Sequence, residues 1–306
     1  MNSLHAIVAI LALMGGVCMA AEDSVCAGDV KEIATDFRFT EGPVWHPDGY
    51  IIFSDIPANT IYALKDGERE VYRRPSGGSN GLTFDAHGRL VACEHGNRRV
   101  SITRENGEID TLAEEYKGKR LNSPNDLVVR SDGSVYFTDP PYGVQSEKRE
   151  LDFQGVYRVS PEGELELLVK DFIKPNGLAF SPDEKVLYIA DTEKSWVRAF
   201  DVQDDGSLTN GRVFAKAPEG QQMRPDGMKV DVKGNLYVTG VGGVWVYNAE
   251  GVRTEVIETE QRPANCAFGG DDSKTFYITA RSSVYTVRLK NPGATLDYRV
   301  KQAKEE

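Results

Sequence analysis

Six phrases along the chain open on an oxygen-bearing polar residue and continue as a short apolar run: Glu41-Gly-Pro-Val-Trp, Asn80-Gly-Leu-Thr-Phe, Asn125-Asp-Leu-Val-Val, Asn176-Gly-Leu-Ala-Phe, Asp226-Gly-Met-Lys-Val and Asn265-Cys-Ala-Phe. Two of the openers are carboxylates and four are carboxamides. Gathered at one point they make a ring of hard oxygen donors, the set expected for Ca²⁺ or Mg²⁺. Glu41 is the hardest to explain otherwise, because Glu is a poor turn former and a buried carboxylate among amides is costly without a cation. Asn and Asp also begin strands for a local reason, satisfying nearby backbone groups, and that plainer role stays open for Asn80 and Asn265.

What could bring six side chains together is the spacing. Successive openers lie 39, 45, 51, 50 and 39 residues apart, close to the length of one four-stranded propeller blade. In the third unit Asn125-Asp-Leu-Val-Val-Arg reads as a strand, Ser131-Asp-Gly-Ser as a hairpin turn and Val135-Tyr-Phe-Thr-Asp as the returning strand. The first, fourth and fifth units repeat the pattern with turns at His46-Pro-Asp-Gly, Ser181-Pro-Asp-Glu and Val232-Lys-Gly-Asn. Period-2 alternation recurs throughout and no segment supports a long amphipathic helix. The expected fold is therefore an all-β, six-bladed β-propeller over residues 29–293, with a metal site in its central channel. The segment Val30-Lys-Glu-Ile-Ala-Thr has no blade of its own, and the sixth unit runs short of strands after Leu289. A first strand completing the last blade closes the ring and removes both sheet edges.

Topology then assigns faces. The loop after each second strand and the link between blades return to the face where the openers lie. That gathers Cys93-Glu-His-Gly-Asn-Arg, the stretch from Asp139-Pro-Pro-Tyr-Gly to Phe153, and the linkers carrying Arg120, Arg224 and Arg262. His95, Tyr142 and Arg120 are the candidate substrate contacts from these loops, with Asn80, Asn125 and Asn265 from the openers. His46 and His87 fall in hairpins on the far face. No short-spaced His or Cys pair offers an ordinary zinc-enzyme site. The pattern Gly77-Gly-Ser79-Asn-Gly81 matches the Gly-x-Ser-x-Gly of serine hydrolases, but that motif needs a strand-to-helix elbow and here a linker enters a strand.

With 36 basic and 47 acidic residues among 306, the net charge is -11 and no basic cluster stands out, which argues against a nucleic-acid partner. Residues 2–20 carry no Asp, Glu, Lys or Arg and contain the run Ala6-Ile-Val-Ala-Ile-Leu-Ala-Leu-Met, so residues 1–20 are expected to be a secretory signal peptide. A membrane anchor is the rival, with a run short for a span. Export to the periplasm or medium follows, with no membrane contact after signal removal. Cys26, Cys93 and Cys266 would then allow at most one internal disulfide. The segment 294–306 is expected to be a charged tail.

The phrases Glu41-Gly-Pro, Arg120-Leu-Asn-Ser-Pro-Asn125-Asp, Phe137-Thr-Asp-Pro-Pro-Tyr-Gly, Pro175-Asn176-Gly-Leu-Ala-Phe and Arg224-Pro-Asp226-Gly-Met resemble the senescence marker protein/gluconolactonase/luciferin-regenerating family. The resemblance implies one divalent cation in the channel, Ca²⁺ first and Mg²⁺, Mn²⁺ or Zn²⁺ as alternatives, and hydrolysis of small-molecule sugar lactones. It implies Glu41, Asn176 and Asp226 as metal ligands, Asn125 as a further ligand or substrate contact, and Asp226 as the acid/base group. Ser123 stands where some relatives place a substrate-contacting arginine, and Arg120 is the nearest upstream arginine. The alternative expectations are an organophosphate or other ester hydrolase on the same scaffold, and a propeller that binds carbohydrate or protein without turnover.

Overall fold

The computed structural model describes residues 24–294; the expected signal peptide and the tail beyond Ala294 lie outside the described residues. Six four-stranded antiparallel sheets follow one another around an axis. Their innermost strands are Thr40–His46, Ser79–Phe84, Leu127–Val129, Pro175–Phe180, Met228–Val230 and Asn265–Gly269. The sixth sheet takes its outermost strand from Lys31–Ala34, paired antiparallel with Ser283–Arg288, so the N-terminal segment closes the ring as expected. Among the described residues the only helical segment is a single 3₁₀ turn, Ser146–Lys148.

The core lies between blades. Each second strand is covered on both faces, which is why Ile51, Ile52 and Phe53 run consecutively instead of alternating with polar residues; all three are at most 1% exposed. Ile52 and Ile61 of the first blade pack with Leu82 and Phe84 of the second, and Val91 and Val100 pack with Leu127 and Phe137 of the third. The sequence of contacts returns to its start where Ile51 and Phe53 meet Ala267 and Val284 of the sixth blade. Outer strands such as Glu68–Arg73 face water and carry charge.

Two local devices hold the blades in register. At the axis the residue after four of the six openers is a glycine, because there the neighbouring inner strand comes too close for a side chain. The Gly81 N–H donates to Asn125 O at 2.9 Å and the Gly177 N–H to Asp226 O at 3.1 Å. A Cβ on Gly42 or Gly177 would collide with the carbonyl of the next opener. The pairing of the inner strand with its neighbour also slips between Glu41 and Val44, Ser79 and Leu82, and Pro175 and Leu178, a bulge that re-aims the opener.

At the end of three second strands a buried Asp holds the incoming linker. Asp55 accepts the N–H groups of Arg38 and Phe39, Asp139 those of Asn122 and Ser123, and Asp191 those of Ile173 and Lys174. The Asp139 bonds are both 2.7 Å and sit in a site that excludes water. Asp139→Ala strands two buried donors and should lower the unfolding free energy by about 2–4 kcal/mol, read from the urea midpoint. An unchanged midpoint would show that the linker is held by other contacts.

Candidate active site

The openers converge. A cavity of about 370 Å³ on the axis is lined at its floor by Glu41, Asn80, Asn125, Asn176 and Asp226, and at its walls by His95, Tyr142, Thr192, Arg224, Arg262 and Arg281, with Phe39, Ile56, Pro263 and Ala264 between them. The floor residues come from five different blades, and the wall residues from the linkers and second-strand loops that topology assigns to this face.

The carboxamides form a directed chain. Asn80 Nδ2 donates to Asn125 Oδ1 at 2.8 Å, Asn125 Nδ2 donates to Asn176 Oδ1 at 2.6 Å, and Asn176 Nδ2 donates to Thr192 Oγ1 at 3.0 Å. Thr192 Oγ1 in turn donates to Pro225 O at 2.7 Å, the residue before Asp226. His95 Nε2 lies 3.2 Å from both Asn80 Nδ2 and Asn125 Oδ1, and burial pushes its imidazole down to about 4, so it is neutral near pH 7. The Tyr142 ring is exposed, yet its hydroxyl lies 3.4 Å from Asn176 Nδ2 across the mouth of the cavity.

The carboxylates are crowded. Glu41 is raised well above the usual carboxylate range, first by burial and then by the charges of Asp226 and Asp126. Asp226, partly accessible from the cavity, is pushed up to about 7 by burial, while the Arg262 guanidinium and the Asn176 amide pull it back. Asp126 is raised by burial and eased mainly by Lys229.

Asp126 did not figure among the expected site residues. It occupies the second place of its phrase, where four of the six phrases carry Gly, and that exchange was the available signal. Arg281 was also missed; it sits in the two-residue turn between Thr275–Ala280 and Ser283–Arg288, a second-strand loop of the kind the topology sends to this face.

Two expected substrate contacts lie elsewhere. Asn265 is buried behind the floor, its Nδ2 donating to Glu41 Oε2 at 3.0 Å and to Asp126 Oδ2 at 3.2 Å, so it braces carboxylates instead of facing the cavity. Arg120 falls in a neighbouring groove with Arg98 and Lys148, where its Nη2 donates to Asn97 O at 2.8 Å. Its linker turns aside as a small two-stranded ribbon, Glu115–Tyr116 with Lys119–Arg120, which carries the side chain away from the axis. Ser79 is buried in a strand against Ser54, with Oγ atoms 2.8 Å apart, and is no nucleophile elbow. Cys26, Cys93 and Cys266 are all buried, and among the described residues no two of them form a disulfide.

The donor set can be tested against a cation. Among the described residues there is no cluster of three or more His, Cys, Asp or Glu with metal-site geometry. The oxygen set here is mixed instead, two acids and several amides. Asn80 Oδ1 is buried with no hydrogen-bond partner, and Glu41 and Asp226 are acids whose ionisation the site itself opposes. Orphaned oxygen and uncompensated carboxylate are what a hard divalent cation satisfies, so the residues fit one.

Because the raised acids lose their neutral form as pH rises, the axial strain grows with pH. In protein stripped of metal, the stability of Asp126→Asn relative to the parent should be greater at pH 8 than at pH 5, read from urea midpoints at the two pH values. A relative stability that falls as pH rises would mean that the Asp126–Lys229 attraction outweighs the repulsion.

A gluconolactonase of Zymomonas mobilis is 35% identical over 296 residues, covering 86% of this chain and 82% of that one. The structure of a gluconolactonase from Xanthomonas campestris superposes with a TM-score of 0.81 at 34% identity, covering 89% and 93% of the two chains. A structure described as a calcium-binding protein, regucalcin, from Agrobacterium tumefaciens shares the fold with a TM-score of 0.72 at 20% identity, covering 89% and 98%. Matched over residues 39–282 to the family described as SMP-30/Gluconolactonase/LRE-like region, this chain belongs to that family.

Proposed function

We propose that the protein is a divalent-cation-dependent hydrolase that opens sugar lactones. The observation that carries this reading is the meeting of Glu41 and Asp226, two acids whose ionisation the site opposes, in a cavity lined also by Asn125 and Asn176. The similarity to gluconolactonases supports the substrate class. Glu41, Asn176 and Asp226 would hold the cation, with Asn125 as a further ligand or substrate contact. Ca²⁺ is the first choice for an oxygen-rich set that includes amides, ahead of Mg²⁺, Mn²⁺ or Zn²⁺. When bound, the cation supplies Lewis acidity at the lactone carbonyl and stabilises negative charge on its oxygen.

The chain's own residues supply the rest. Asp226 as carboxylate takes a proton from the attacking water and returns it to the ring oxygen as that oxygen leaves, so no net proton is held at the end of the cycle. His95 and the carboxamides line the cavity beside the acids and would orient sugar hydroxyls, with Asn80 Oδ1 left without a protein partner to accept one. Tyr142 lines the cavity as an exposed residue with its hydroxyl 3.4 Å from Asn176 Nδ2, where it would meet the substrate. We also infer export, from the uncharged apolar run within residues 2–20.

Exhaustive chelation should abolish lactone hydrolysis, and Ca²⁺ or another hard divalent cation should restore it; full activity after demetallation would remove the metal from the mechanism. The acid/base role is tested separately. Asp226→Asn keeps an oxygen donor but cannot exchange the proton, so turnover should fall roughly 10²-fold or more while measurable cation binding persists. Asn176→Asp should bind cation at least as well and keep more activity. An active Asp226→Asn beside a dead Asn176→Asp would reduce Asp226 to a ligand.

A further inference from the structure

The charge around the cavity is one-sided. Arg224, Arg262 and Arg281 lie together on the wall made by the fifth and sixth blades, while the opposite wall, with His95 and Tyr142, carries no guanidinium group. Three guanidinium groups on one cavity wall are unexpected in a chain of net charge -11. They are also poorly compensated. Among the described residues, Arg224 Nη2 reaches only Glu193, at 3.9 Å and on the surface, and Arg262 and Arg281 have no carboxylate within ion-pair distance. Arg262 is directed inward, since Arg262 Nη2 donates to Arg224 O at 3.2 Å and its charge is felt at Asp226. Arg224 is anchored through its own N–H, which donates to Ser195 Oγ at 2.8 Å. Phe39, Ile56, Pro263 and Ala264 line the cavity with them; Arg224 and Arg262 are half-buried and Arg281 is exposed, so all three stay within reach of an entering anion.

Resting on the lactonase reading above, we infer that the substrates of this cavity are lactones bearing a second, anionic group, a carboxylate or a phosphate, which docks on Arg224, Arg262 and Arg281. The lactone carbonyl then lies over Glu41 and Asp226, and the anion holds the ring in that orientation. Guanidinium groups suit either anion because each can donate two parallel N–H bonds to its oxygens. A neutral aldonolactone gives these guanidinium groups no anionic partner and is the poorer substrate.

The test compares glucono-1,5-lactone with its 6-phosphate and with a glucarolactone carrying a 6-carboxylate, using the full cation-loaded enzyme. The expected result is a kcat/KM at least about tenfold higher for one of the anionic lactones, expressed mainly in KM and weakened by salt; which of the two wins separates phosphate from carboxylate. Arg281→Gln and Arg224→Gln should each cut the ratio of anionic to neutral kcat/KM several-fold. Arg281→Lys should retain more of it. A neutral lactone turned over as well as both anionic ones, or a ratio that survives the Arg224→Gln/Arg281→Gln double variant, overturns the inference. Should no lactone be hydrolysed, the lactonase reading fails on its own, and calorimetry with glucose, glucuronate and glucose 6-phosphate decides the anion claim. Preference for a charged sugar that disappears in the double variant supports it, and no such preference overturns it.

Discussion

Three carboxylates share the propeller axis, and the arrangement around them follows from keeping them there. Glu41 and Asp126 are buried and Asp226 faces the cavity; the charges of Asp226 and Asp126 oppose ionisation of Glu41, and that of Asp126 opposes ionisation of Asp226, so the site needs positive charge and hydrogen-bond donors close by. The protein provides them at graded distances. Asn265 bridges Glu41 and Asp126, Lys229 eases Asp126 from the far side, and Arg262 eases Asp226 from the cavity wall. What these groups do not neutralise is the residual negative potential that makes the proposed cation binding favourable.

Such a site can exist only on a rigid frame. The carboxamide chain from Asn80 to Thr192 spans three neighbouring blades, so a small shift of one blade would break a 2.6–3.0 Å bond. Glycines at the second position of the phrases let the inner strands approach until backbone N–H groups reach the next opener's carbonyl. Farther out, Asp55, Asp139 and Asp191 hold the linkers that feed those strands. The closure of the sixth blade by Lys31–Ala34 completes the circle and leaves the ring no free inner edge from which to open.

Much of the frame was legible along the chain because its causes are local. Asp-Gly turns, strands of β-branched and aromatic residues, and a period near that of one blade each depend on a few adjacent residues. The floor of the site was legible too, since Glu41, Asn80, Asn125, Asn176 and Asp226 hold the same place in a repeated phrase and a repeat maps equal places onto equal positions about an axis. Asn265 obeys the repeat and still does not face the cavity. Its amide turns below the floor to two carboxylates that are 224 and 139 residues away in sequence, a contact no local pattern encodes.

What the sequence by itself determined, then, is the propeller, its closure by the N-terminal strand, and which face carries the polar openers. Only the tertiary structure decided which side chains from that face reach one cavity. Arg224 and Arg262 lie, like Arg120, in linkers ahead of an opener, yet the ribbon at residues 115–120 swings Arg120 into a side groove while the other two line the axis. Asp126 and Arg281 likewise acquire their meaning from neighbours in other blades, Glu41 and Asn265 for the one and the cavity wall for the other. The physical reason is range: turn chemistry and strand propensity act over a few residues, whereas desolvation and charge coupling act across whatever the closed ring brings within a few ångströms.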